Sequence, residues 1–201
     1  NLYGTLNAYK AIKKKSPGTT NILVIGPWSH GQWGRGDGDM LGPLRFDSKT
    51  ALFFRENIEF PFFEYYLKGK DNPTLPEAYV FETGTNQWRI FDCWPPKIIT
   101  SQSIYLHEGG ELSFDPQKDL STDAFDEYVS DPARPVPFIA GVSTGMNHDY
   151  MVQDQRFSAT RPDVLVYQSD VLTEDLTCSG NITPNLFVST TGTDSDWIVK
   201  L

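Results

Sequence analysis

The sequence predicts an α/β segment followed by an all-β sandwich or jelly roll. Three observations carry this reading. A helical repeat runs into a short, continuously apolar strand near the N-terminus, and a second, longer helical repeat follows it. Beyond residue 72 the pattern changes to short β-rich runs separated by Gly, Pro and Asn. With 201 residues and 39% hydrophobic content, the chain can bury the core of one or two domains.

Residues 1–15 place Leu2, Tyr3, Leu6, Tyr9 and Ile12 at helical spacing. Lys13, Lys14 and Lys15 complement the dipole of the last turn, and Ser16-Pro17-Gly18 stops the helix. Residues 21–25 are Asn21 followed by the continuous apolar run Ile22–Ile25, as expected of a strand covered on both faces in a parallel sheet. An irregular Gly-rich stretch comes next, then a helix over 48–68 with Asp47 or Ser48 as N-cap. Ala51, Leu52, Phe54, Ile58, Phe62, Tyr65, Tyr66 and Leu67 give it a broad apolar face. Pro61 is expected to kink or divide it, and Gly69 to end it.

GKDNPTLP (69–76) is a linker by composition, so the domains are drawn at 1–71 and 72–201. Seven strands and no helix are expected after it: AYVFE (78–82), WRIFD (88–92), SIYLHE (103–108), DEYVS (126–130), DVLVYQS (163–169), NLFVST (185–190) and DWIVKL (196–201). The chain opens inside a helical repeat and closes inside an alternating one, which reads as a segment of a longer protein.

A formal charge of −9 argues against a nucleic-acid partner, since phosphate binding needs clustered Lys and Arg. No stretch is long and apolar enough for a membrane span. Cys93 and Cys178 lack a C-x-x-C spacing, so neither a zinc site nor a redox motif is indicated. Two buried thiols are expected, with pairing open in an exported protein. Asp37 and Asp39 in GRGDGDMLG have a calcium-loop composition without the later bidentate Glu, and local turn bonding is the expectation. No metal and no cofactor is assigned.

The chemistry concentrates in NILVIGPWSHGQWGRG (21–36), where the apolar run stops at Gly26-Pro27 and Trp28, Ser29 and His30 follow. An imidazole displayed after a buried strand can accept a proton from a nucleophile and return it to a leaving group near neutral pH. Such a histidine on the loop after a strand is how an α/β-hydrolase sheet carries its base. Ser29 is a poor nucleophile candidate, because WSHG lacks the G-x-S-x-G turn that exposes a serine. Trp28 and Trp33 flank His30 and are the candidate substrate-binding residues; Trp28 is expected to turn inward under the loop. His107 and His148 have no His or Cys at ligand spacing.

GPWSHG (26–31) and FFEYYLKG (62–69) resemble the histidine loop and final helix of the cocaine esterase and α-amino-acid ester hydrolase family, relatives of X-Pro dipeptidyl peptidase. YVSDPARPVPF (128–138) and QDQRFSATRPDVLVYQSDVLTEDLTCSGNI (153–182) resemble the family's C-terminal non-catalytic domain. The resemblance implies the end of an α/β-hydrolase domain followed by a galactose-binding-like jelly roll. It implies a Ser-His-Asp hydrolase of small acyl esters or amides, such as an ester hydrolase, a glutaryl-7-aminocephalosporanic acid acylase or a dipeptidyl peptidase. By motif match His30 is the triad histidine, with the Asp and Ser upstream of Asn1, so the segment alone is expected to be inactive. The resemblance also implies export to the periplasm or cell exterior, with a cytoplasmic location the alternative, and allows a homo-oligomer. The rival function is a non-catalytic β-sandwich that binds carbohydrate or a protein partner.

Overall fold

The computed structural model describes residues 2–116 and 125–201. They fall into two compact units, Asn1–Asp170 and Val171–Leu201.

In the first unit, helix α1 (Leu2–Lys15) ends in the three lysines. Only part of its predicted apolar face packs. Tyr9 is buried and Leu6 half-buried, whereas Leu2 and Ile12 are exposed. Strand β1 (Leu23–Ile25) pairs in parallel with β4 (Ala78–Glu82), which pairs antiparallel with β5 (Gln87–Phe91), giving the order β1-β4-β5. The sheet therefore joins residues on both sides of residue 72. β1 lies at its edge, and only Leu23 of the strand is buried, so the expected burial on both faces is not met.

Alternation along β4 supplies each face of the sheet with its own core. Leu23 and Ala78 are register partners, and on their face they pack against Tyr9, with Leu6, Ile25, Phe91 and Trp94 around them. Phe81, three residues along, points the other way and meets Leu41 and Phe46 from the hairpin of β2 (Met40–Leu41) and β3 (Leu44–Arg45), with Trp88 and Val152.

The second helical segment is divided in three: α2 (Thr50–Phe54), a π-helical turn (Arg55–Glu59) and α3 (Phe60–Lys68). Pro61 stands in the first turn of α3 and has no N–H to give. The wide turn before it passes the hydrogen bonding on, as the Phe60 N–H reaches Arg55 O five residues back. Gly69 closes the helix in the left-handed region at φ 65°. The predicted N-cap is incorrect. Lys49 occupies that position without a side-chain bond, and the Asp37 carbonyl accepts the Ala51 and Leu52 N–H groups at 3.0 and 3.3 Å. Asp47 lies two residues before that position, in the left-handed region at φ 47°.

Strands form at β4, β5, β6 (Tyr105–His107) and β7 (Glu111–Ser113), the last two as a hairpin. Among the described residues, the runs expected as strands at 126–130, 163–169, 185–190 and 196–201 form no ladder beyond a single parallel bridge between Glu111 and Gln168. Alternation favours an extended backbone, but a strand exists only where another edge accepts its hydrogen bonds. Helical turns were not expected here, yet Tyr150–Val152 is a 3₁₀ turn and Arg156–Ala159 forms α4. Asp154, just before the N-cap residue Gln155, accepts the Arg156 N–H at 2.9 Å and pairs with its guanidinium.

The second unit has no regular secondary structure among its residues, and Val171, Phe187 and Ile198 are almost fully exposed. Cys178 is exposed and unpaired and Cys93 half-buried, which corrects the expectation of two buried thiols. Among the described residues no helix is long and apolar enough to cross a membrane.

Candidate functional site

The loop carrying His30 leaves β1 at Gly26. A Cβ there would sit 2.5 Å from the Trp28 ring, so the indole can fold back over the chain only because residue 26 is glycine. Trp28 is turned inward. Its Nε1 donates to Thr50 Oγ1 at 2.8 Å, and its ring lies 5.4 Å from that of Phe54 and 5.9 Å from that of Trp88. Trp28 is thus the floor of the loop, anchored on α2 and β5.

Ser29 is also engaged. Its N–H and hydroxyl both donate to Gln32 Oε1, at 3.0 and 3.3 Å, while Gln32 Nε2 donates to Met40 O at 2.8 Å. One glutamine thus ties the residue before His30 to β2. Gly31 takes φ 77° and opens the 3₁₀ turn Gln32–Gly34. The turn brings Trp33 back towards His30, with ring centroids 5.8 Å apart at 84°, an edge-to-face arrangement. Trp33 is 39% exposed. His30 is exposed too, and neither of its nitrogens makes a hydrogen bond among the described residues.

The far limb of the loop is held by Arg55, whose Nη1 donates to Trp33 O at 3.0 Å and whose Nη2 donates to Gly36 O at 2.7 Å. Gly38, at φ 70°, approaches the start of α2 so closely that a Cβ would meet Ala51 N at 2.6 Å. Thr50 Oγ1 donates to Gly38 O at 2.5 Å. Asp37 pairs with Lys49 at 2.9 Å and gives its carbonyl to the Ala51 and Leu52 N–H groups of the helix, contacts with distant residues in place of the local turn bonding expected of it. No group of three His, Cys, Asp or Glu side chains among the described residues could hold a metal ion.

His30 and Trp33 are therefore brought together at the surface, and Trp28 lies beneath them. His107 and His148 are elsewhere: His107 Nε2 lies 3.1 Å from Asp115 O, and His148 is exposed on a loop. Gln32, Thr50 and Arg55 were not found by sequence reasoning. Gln32 carried a signal, since a glutamine two residues past the histidine can turn back on a short loop. Thr50 and Arg55 carried none, because their partners lie 12 to 22 residues away in sequence.

Three relatives bear on this arrangement. The chain is 30% identical over 210 residues to the cocaine esterase of Rhodococcus sp. (strain MB1 Bresler), an alignment covering 98% of the chain and 35% of the esterase. Among solved structures, it is similar to an aminopeptidase from a marine sediment Thaumarchaeota archaeon, with a TM-score of 0.76, 39% identity, and coverage of 86% of this chain and 28% of that one. An α-amino acid ester hydrolase gives a TM-score of 0.73 and 37% identity, covering 84% of this chain and 29% of the hydrolase. All three relatives are hydrolases, and the chain spans about a third of their length. Residues 72–201 match the X-Pro dipeptidyl-peptidase C-terminal non-catalytic domain. The chain belongs to that family.

Proposed function

We propose that this chain is the C-terminal part of a serine hydrolase that cleaves ester or amide bonds of small acyl substrates, with His30 as its general base and general acid. The observation that carries the reading is His30 itself. It is exposed on the loop leaving a strand of a parallel pair, its nitrogens make no hydrogen bond among the described residues, and its ring meets that of Trp33 at 84°. On this reading the nucleophilic serine and the orienting aspartate come from sequence preceding Asn1. His30 takes the serine proton as the hydroxyl attacks the acyl carbon, then gives it to the departing alcohol or amine. It next takes a proton from water, and returns it to the serine as the acyl-enzyme is hydrolysed.

Under the same proposal residues 1–71 complete an α/β-hydrolase domain and 72–201 form part of a jelly roll, with the similarity to the three hydrolases in support. Trp33 is an apolar wall beside the substrate, and the protein is exported. The carbohydrate- or partner-binding alternative draws no support from relatives that are all hydrolases. In the full-length protein, His30→Ala is expected to lower kcat/KM for a small aryl ester by about 10³-fold or more. Activity within tenfold of wild type would overturn the assignment.

A further inference from the structure

We infer that Arg55 is a positioning residue for His30, acting through the backbone of the histidine loop; this rests on the proposed role of His30. Arg55 opens the π-helical turn, and its backbone N–H is shared between Ala51 O and Leu52 O. Its guanidinium makes no ion pair among the described residues, although Glu56 and Glu59 line the same surface groove. The planar fork spans two neutral carbonyls of the loop instead, Trp33 O at 3.0 Å and Gly36 O at 2.7 Å. Charge-assisted bonds of this kind are roughly twice as strong as neutral ones, and a lysine ammonium cannot match the fork's two-point geometry.

The consequence runs through Trp33. Its carbonyl is fixed by Arg55 while its ring meets the imidazole edge, so the residue that sets His30's orientation is itself held from the helix. The near limb of the loop has separate anchors, Trp28 on Thr50 and Gln32 between Ser29 and Met40. Loss of Arg55 therefore frees the Trp33–Gly36 limb and leaves the floor in place. The base is retained and misplaced, and a displacement of about 1 Å costs a rate factor on the order of 100.

The test uses the full-length protein with an aryl ester, comparing wild type, Arg55→Gln, Arg55→Lys and His30→Ala. Arg55→Gln is expected to lower kcat about 10- to 100-fold with KM within about twofold, and Arg55→Lys to recover part of the loss. Carbethoxylation by diethylpyrocarbonate, followed by peptide mass spectrometry, should change in rate at His30 and not at His107. A kcat within twofold of wild type in Arg55→Gln, or equal rate loss in both Arg55 variants, overturns the inference. So does a changed rate at His107 as well as His30, which marks general loosening. If His30→Ala stays active, the functional reading fails, and the carbethoxylation result alone decides the role of Arg55.

Discussion

Trp28 Nε1 donates to Thr50 Oγ1 at 2.8 Å, and the same oxygen donates to Gly38 O at 2.5 Å. One fully buried hydroxyl thus joins the floor of the histidine loop to the glycine segment beyond it. Thr50→Val keeps the shape and removes both bonds, leaving an indole N–H and a carbonyl unpaired. It is expected to destabilise the protein by about 2–4 kcal/mol in urea denaturation, whereas Thr50→Ser should stay within about 1 kcal/mol of wild type.

Gly36 and Gly38 separate backbone strain from steric contact. Both lie in the left-handed region, at φ 60° and 70°, but a Cβ at 36 meets open space and one at 38 meets Ala51 N at 2.6 Å. Gly36→Ala is expected to cost about 1 kcal/mol. Gly38→Ala adds a contact with backbone that cannot give way, and should cost at least about 2 kcal/mol more. Thermal or urea midpoints for the two variants check the order.

Trp28 and Trp33 differ in role although each stands within three residues of His30. Trp28 packs on Phe54 and Trp88, so Trp28→Ala is expected to lower stability by about 3 kcal/mol. Trp33 is 39% exposed, and Trp33→Ala should change stability by less than about 1 kcal/mol. Its effect is expected in the kinetics of the full-length protein, in KM for an apolar acyl substrate as part of the substrate wall and in kcat as the ring that orients His30. Unchanged kinetics there would remove Trp33 from the substrate wall.

Glu77 links α1 to the start of β4. Its carboxylate accepts from the Tyr9 hydroxyl, from Lys13 Nζ and from the Trp94 N–H at 3.1 Å, and its carbonyl accepts the Leu23 N–H at 2.9 Å. Burial opposes ionisation of Glu77, but Lys13, Tyr9 and Trp94 together outweigh it and hold the carboxyl below its ordinary 4.5. A carboxylate depressed in the folded state contributes stability that is complete above 4.5 and lost as pH falls through the folded value. Glu77→Gln should therefore lower the thermal midpoint at pH 7 and flatten its decline in acid. Tyr9 is raised above 10.0, first by burial and then by its bond to Glu77. Its contribution is complete below pH 10 and lost as pH climbs through the folded value, so Tyr9→Phe should resist alkali better than wild type.

Part of the order of elements was legible because local pattern specifies it. The lysine-terminated α1, the apolar β1, the Gly69 stop and the β4–β5 hairpin all stand where periodicity and turn residues put them. Pro61 likewise announced a divided helix, though not that a π-helical turn would divide it. The N-cap could not be read, since its acceptor is a backbone carbonyl brought from Asp37 by the close approach of Gly38.

By itself the sequence determined that an exposed histidine follows an apolar strand, because Gly26-Pro27 must end that strand wherever it lies. Only the tertiary structure decided which neighbours hold that histidine in place. Arg55, Thr50 and Met40 reach the loop through hydrogen bonds that link positions 8 to 22 residues apart. β1 found its parallel partner in β4 beyond the linker. The physical reason is common to both. Periodicity and turn chemistry act between near neighbours, whereas a parallel ladder and a carbonyl clamp depend on which distant segments the packed core brings within hydrogen-bonding distance.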